Sequence, residues 1–173
     1  PARLIAHPAS DVAPSWSPDG RWIYFFSTRS GSVQVWKAPA GGGEAIQVTR
    51  GGGYVAVESP DGRFLYYCKS DQAPTTLWKV PVQGGEEVQV LDSLSYMANF
   101  DVADDGIYFI PGRGPETRHA IKFLEFATGR ITTVAALENR PEVGLTVSRD
   151  GRWIRWAQTD QQNSDLMLVE NFR

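Results

Sequence analysis

The sequence predicts an all-β chain, a β-propeller made of four four-stranded antiparallel blades. Three observations carry that expectation. A short motif recurs four times at near-constant spacing, each copy lies between two strand-like runs, and no segment has a convincing helical period. The motif is Ser17-Pro18-Asp19-Gly20-Arg21. It returns intact as Ser59-Pro60-Asp61-Gly62-Arg63, varied as Ser148-Arg149-Asp150-Gly151-Arg152, and reduced to Ala103-Asp104-Asp105-Gly106. The spacings between its glycines are 42, 44 and 45 residues, the period of a propeller blade.

Each unit reads in the same order. A short apolar stretch comes first: Val12 to Trp16, Tyr54 to Val57, Met97 to Val102 and Val143 to Val147. The Asp-Gly turn follows and is expected as a type I′ hairpin. The second strands are Trp22 to Phe26, Phe64 to Cys68, Ile107 to Ile110 and Trp153 to Trp156. Their near-continuous apolar character fits sheets covered on both faces. Third strands are expected at Val33 to Lys37, Thr76 to Val80, Ala120 to Phe126 and Leu166 to Val169. Glycine turns then lead to fourth strands at Ala45 to Thr49, Glu87 to Leu91 and Ile131 to Val134. Residues 1–173 thus read as one propeller domain, with blades near 12–49, 54–91, 97–137 and 143–172.

The strand count leaves one gap. The fourth unit ends after its third strand, while the chain opens with an orphan strand, residues 3–7. Pairing the two ends would remove an exposed sheet edge. Four blades closed on themselves need a very tight centre, and an open half ring would leave aromatic faces in water at about 25 cal/mol per Å². The expected arrangement is therefore two chains exchanging terminal strands into an eight-bladed ring, a homodimer; the closed monomer is the alternative.

Composition narrows the function. The chain of 173 residues is 42% hydrophobic and 21% charged, the profile of a globular protein. With 17 Lys+Arg against 20 Asp+Glu it lacks the basic excess of a nucleic-acid binder, so no nucleic acid is expected as partner. No apolar run approaches 18 residues, so no membrane helix is expected within it. Cys68 is the single cysteine, which excludes an intrachain disulfide and a cysteine metal cluster. The chain starts at Pro1 without Met, which leads us to expect sequence upstream.

Catalytic and metal chemistry were sought in the sequence. His7 and His119 are the only histidines, and both read as surface residues, His119 in a long polar loop. There is no Gly-x-Ser-x-Gly elbow, no phosphate-cradling loop and no calcium loop. Asp104-Asp105 reads as a hairpin turn, and Gly41-Gly42-Gly43 and Gly51-Gly52-Gly53 as strand connections. Neither catalytic residues, nor a metal site, nor a cofactor is expected. Asp19, Asp61 and Asp150 recur with the unit and read as turn formers. Trp16, Trp22, Trp36, Trp78, Trp153 and Trp156 occupy repeat-equivalent places and read as blade packing.

The motif Ser-Pro-Asp-Gly-Arg-Trp-Ile-Tyr-Phe, followed by Val-Trp-Lys-Ala-Pro and a glycine turn, resembles the TolB-like propeller repeat. The resemblance covers essentially the whole chain. It is strongest in the first two units, good in the fourth, and weakest in the third, which lacks Ser-Pro and Arg. That repeat occurs in Tol-system periplasmic proteins, in prolyl-oligopeptidase-type peptidases and in bacterial sensor regulators. Ser164 to Phe172 is similar to the C-terminus of propeller-bearing bacterial regulators and kinases. The resemblance implies a bacterial, periplasmic or extracytoplasmic setting, and a chain that forms part of a larger sensor or regulator. It names no activity, because propellers host many.

Function in a propeller sits at the ring mouth, on loops. The loops joining units, with those joining second to third strands, share one face. They carry His7, Asp11, Arg50, Tyr54, Asp92, Tyr96, Asn99, Arg140 and Glu142, the candidate ligand-binding residues. Outer loops add Arg29, Asp71, Arg113, Arg118 and Asp160. The expected function is a non-catalytic domain binding a protein, peptide or small ligand. The alternative is the propeller of an enzyme, either the gating domain of a peptidase or a mouth-sited hydrolase or lyase.

Overall fold

The computed structural model describes residues 4–112, 119–160 and 163–170. These residues are all-β. The first repeat gives β1 (Asp11–Trp16), β2 (Trp22–Ser27), β3 (Gln34–Pro39) and β4 (Ile46–Gln47), and the second β5 (Tyr54–Glu58), β6 (Phe64–Cys68), β7 (Thr75–Pro81) and β8 (Val88–Leu94). The third gives β9 (Phe100–Val102), β10 (Gly106–Phe109), β11 (His119–Glu125) and β12 (Ile131–Leu137), and the last β13 (Pro141–Val147), β14 (Trp153–Asp160) and β15 (Asn163–Glu170). In each sheet the strands lie side by side in chain order, four strands in the first three sheets and three in the last.

The sheets fall into two compact units. The first holds the first sheet and most of the second, and the other holds the last two sheets with residues Gln72–Thr75 and Asp92–Leu94. Within each unit the core lies between two sheets. Tyr24 and Val35 pack on Ala56, Leu65, Tyr67 and Val80 in the first unit. Ile110, Ile121 and Leu137 pack on Leu145, Ile154 and Trp156 in the second. The second strand of the second repeat is buried on both faces from Leu65 to Cys68, which explains its unbroken apolar run, whereas β14 exposes Arg155.

The turn motif is a self-contained hydrogen-bond lock. The Ser17 hydroxyl donates to Asp19 Oδ1 (2.7 Å), and Arg21 donates to the same carboxylate through its backbone N–H (2.9 Å) and Nε (2.5 Å). The Trp22 N–H closes the loop on Ser17 Oγ at 2.9 Å. Ser59-Asp61-Arg63 and Ser148-Asp150-Arg152 repeat this geometry. The turn is not the expected type I′. Gly20 has φ +70° but Asp19 stays in the ordinary region, and the Gly20 N–H reaches the Ser17 carbonyl at 2.9 Å. The turn spans Ser17 to Gly20 with Pro18 and Asp19 at its centre, and only the glycine that follows them is left-handed; the fourth copy does the same with Arg149 at the Pro18 position.

The third copy lacks the lock and is tighter, with Ala103 N–H bonded to the Gly106 carbonyl at 2.9 Å. A Cβ at Gly106 would stand 2.3 Å from the Leu124 carbonyl and the Phe123 ring. Trp16 also departs from expectation. It is 63% exposed on β1, while Trp156 is buried and Trp22 and Trp78 pack at the edge of the first core.

The expected opening strand does not form over its described part. Leu4 to His7 are not in a strand, and Arg3 lies outside the described residues. Pro8 offers no N–H to a ladder, and the Ala9 N–H donates to His7 Nδ1 at 3.1 Å, which turns the chain. The Leu4 carbonyl instead lies against the β3–β4 turn, 3.4 Å from where a Gly42 Cβ would be. Among the described residues the last sheet has three strands, in the order β13-β14-β15.

Candidate functional site

In the second unit four connections enclose a cavity of about 230 Å³, lined by Pro74, Ser95, Tyr96, His119 and Arg140, among others. Local chemistry positions each wall. Asn99, fully buried, fixes the loop before β9: its Nδ2 donates to Ser95 Oγ (2.8 Å) and its Oδ1 accepts the Gly144 N–H (2.8 Å). The Ser95 N–H and hydroxyl both bond the Ile110 carbonyl, at 2.9 and 3.1 Å. Gly112 permits the close approach of the β10 exit, since a Cβ there would fall 2.3 Å from Ser93 Oγ and 2.7 Å from Pro74. The Arg140 carbonyl accepts the Thr159 N–H at 3.1 Å, which pins its backbone.

The reactive feature is an exposed pair. Arg140 Nη2 donates to the Tyr96 hydroxyl at 2.5 Å. That bond, with Glu142 nearby, holds the guanidinium charge even more firmly than usual. Among the described lining residues Arg140 is the one Lys, Arg, Asp or Glu side chain. The arrangement offers a cation, a phenol and a hydroxyl around a hollow the size of one side chain. The Ser95 hydroxyl donates to the Ile110 carbonyl and accepts from Asn99, which ties it into the wall.

The candidate residues read from the sequence divide. Tyr96 and Arg140 meet. Glu142 accepts from the Thr159 hydroxyl at 2.7 Å, and Asn99 is a structural tie inside the wall. Asp92 is exposed on β8. In the first unit Asp11 forms a bidentate pair with Arg29 at 2.7 and 2.9 Å, and Arg29 lies 5.0 Å from the Phe25 and Trp36 rings. Tyr54 packs its ring 5.3 Å from Phe26, and burial pushes its hydroxyl pKa up. Arg50 gives its backbone N–H to Glu87 (3.2 Å), and His7 shapes the turn at Ala9. Arg113 and Arg118 lie outside the described residues. His119 is not a free loop residue; it opens β11 and lines the cavity. Ser95 and Gly112 were not marked by the sequence, because their roles depend on chain segments far from them.

The comparisons with known proteins agree with this architecture. The family model described as the TolB beta propeller domain matches residues 1–139. The chain belongs to the TolB β-propeller family. The solved structure of a putative TolB from Agrobacterium tumefaciens superposes with a TM-score of 0.75 at 20% identity, covering 96% of this chain and 60% of that one. TolB from Acinetobacter baumannii gives 0.71 at 17% identity, covering 91% and 40%. A puromycin hydrolase gives 0.60 at 18% identity, covering 91% of this chain and 26% of the enzyme. The chain thus spans between about a quarter and three fifths of these proteins. Among the described residues no three His, Cys, Asp or Glu side chains are grouped to hold a metal, and no helix is long and apolar enough to cross a membrane.

Proposed function

We propose that this TolB-family chain is a non-catalytic recognition domain whose second unit binds a carboxylate-bearing segment of a peptide or protein. The observation that carries the reading is the Tyr96–Arg140 pair beside a side-chain-sized hollow whose described lining holds no carboxylate. A guanidinium presents paired donors that match a carboxylate, and exposed tyrosine and arginine are the side chains that dominate protein interfaces. The enzyme alternative draws on structural neighbours such as the puromycin hydrolase, but the Ser95 hydroxyl is already committed to the Ile110 carbonyl and Asn99.

Titration with a tetrapeptide ending in a free carboxylate tests the reading. Arg140→Ala should abolish binding and Tyr96→Phe should weaken it, while the C-terminally amidated, uncharged peptide should not bind. Equal binding by Arg140→Ala would overturn it. The reading includes an extracytoplasmic setting within a larger bacterial sensor or regulator, as the family resemblance implies.

The short last sheet supports a second element of the proposal. Among the described residues the last sheet has three strands where the others have four, and a strand from an identical chain would complete it. The solution mass decides: about twice 19.1 kDa is expected for the exchanged dimer, and a mass equal to one chain would reject it.

A further inference from the structure

We propose a second and independent ligand site, in the first unit, that accepts a guanidinium or ammonium group. It is the cavity of about 470 Å³ above the Tyr24–Glu58 hydrogen bond, walled by Trp22, Lys37, Gln83 and the two Ser-Pro-Asp-Gly turns. Its volume lies within the range of small-molecule sites, roughly 300–1,000 Å³.

Glu58 is the residue that the repeat does not explain. Four residues before the turn glycine the other copies carry Trp16, Val102 and Val147. The framework asks for an apolar side chain there, and the second unit supplies a partly buried carboxylate. Its hydrogen-bond partner is neutral, the Tyr24 hydroxyl at 2.5 Å. A carboxylate has about four acceptor sites, so one donor leaves most of its capacity open.

The other charges around the cavity are already committed. Arg21 is bound to Asp19 and Asp61 to Arg63. Lys37 donates to the Val82 carbonyl at 2.9 Å and lies 4.8 Å from the Trp22 ring centre. Lys79 stands over Phe64 at 4.7 Å in the next sheet, so this stacking belongs to the framework. Glu58 exerts an attraction on Lys37 but makes no ion pair with it within 4 Å. Glu58 is thus the lining carboxylate that makes no ion pair and keeps spare acceptor sites, while Lys37 turns its ammonium to the Val82 carbonyl and the Trp22 ring. A cation entering between the turns would meet Glu58 at the floor and the Gln83 amide on the wall.

Two probes test this, agmatine as a free cation and acetyl-Gly-Arg-Gly-amide as a peptide-borne one, with acetyl-Gly-Glu-Gly-amide as the anionic control. Binding is followed by calorimetry and by the Trp22 indole signal. Glu58→Val installs the residue of the third and fourth copies, and Glu58→Gln keeps the shape and the contact with Tyr24. We expect both cations to bind the native chain, the glutamate peptide not to, and either substitution to weaken binding about tenfold or more, the scale of one hydrogen bond to a charged group. Tighter binding of the peptide assigns the source to a partner's side chain, and tighter binding of agmatine to a small amine. Should Glu58→Val fail to fold, Glu58→Gln carries the test. Arg140→Ala leaves this site intact, which separates it from the carboxylate site. No binding of either cation, unchanged affinity in Glu58→Gln, or equal binding of the glutamate peptide would overturn the proposal.

Discussion

Asn99→Ala is the substitution that best separates scaffold from site. Asn99 is fully buried and ties Ser95 Oγ to the Gly144 N–H, both at 2.8 Å. Alanine removes a hydrogen bond worth about 1 kcal/mol and strands a backbone donor at a cost of about 1–3 kcal/mol, together about 3 kcal/mol. For a chain of this size that lowers the melting temperature by about 6–12 °C. Ser95→Ala loses the side-chain tie alone, about 1 kcal/mol, and should lower it by about 2–4 °C. Arg140→Ala removes an exposed side chain and should leave melting unchanged. Thermal unfolding by circular dichroism measures all three. An Asn99→Ala chain that melts with the wild type, or no lower than Ser95→Ala, would refute the assignment of Asn99 to the wall and return it to the ligand.

Three further outcomes follow from the geometry. The hydrogen bonds from Ser and Arg hold the carboxyls of Asp19, Asp61 and Asp150 down to about 2, from an ordinary 3.8. Their stabilisation is complete above pH 4 and is lost as pH falls toward 2, so melting temperature should drop through that window, less steeply in the Asp19→Asn/Asp61→Asn/Asp150→Asn chain. Gly106→Ala should destabilise by about 1–3 kcal/mol or more in urea unfolding, because its Cβ would meet the Leu124 carbonyl and the Phe123 ring at 2.3 Å. Burial pushes the Cys68 thiol up to about 12, so a disulfide reagent at pH 8 should modify it only after denaturant is added.

What the sequence made legible was local. Ser17, Asp19 and Arg21 close their lock within six residues, so the repeat announced its turns and the strands on either side. The type I′ expectation placed Asp19 and Gly20 at the centre of the turn, whereas the Ser17–Gly20 hydrogen bond puts Pro18 and Asp19 there. Residues 3–7 looked like a strand by composition, but strand formation needs a distant partner, and over Leu4 to His7 no strand forms before Pro8 and the His7–Ala9 bond. Tyr96 and Arg140 were recognisable as loop residues, whereas their meeting across 44 positions depends on the Asn99–Gly144 tie. Asn99 itself read as a ligand candidate because nothing local reveals that a bulged glycine elsewhere needs its oxygen. Glu58 was legible in principle, as the one acidic residue at a position otherwise Trp or Val, had the four copies been aligned strand by strand.

The most direct test of the central claim, that recognition rests on unrepeated side chains held by a repeated frame, is an amide shift titration with the free-carboxylate tetrapeptide. The account predicts movements gathered at Ser95, Tyr96, His119 and Arg140, with the Ser-Pro-Asp-Gly turns still. Movements centred on those turns, or none at Tyr96 and Arg140, would contradict it.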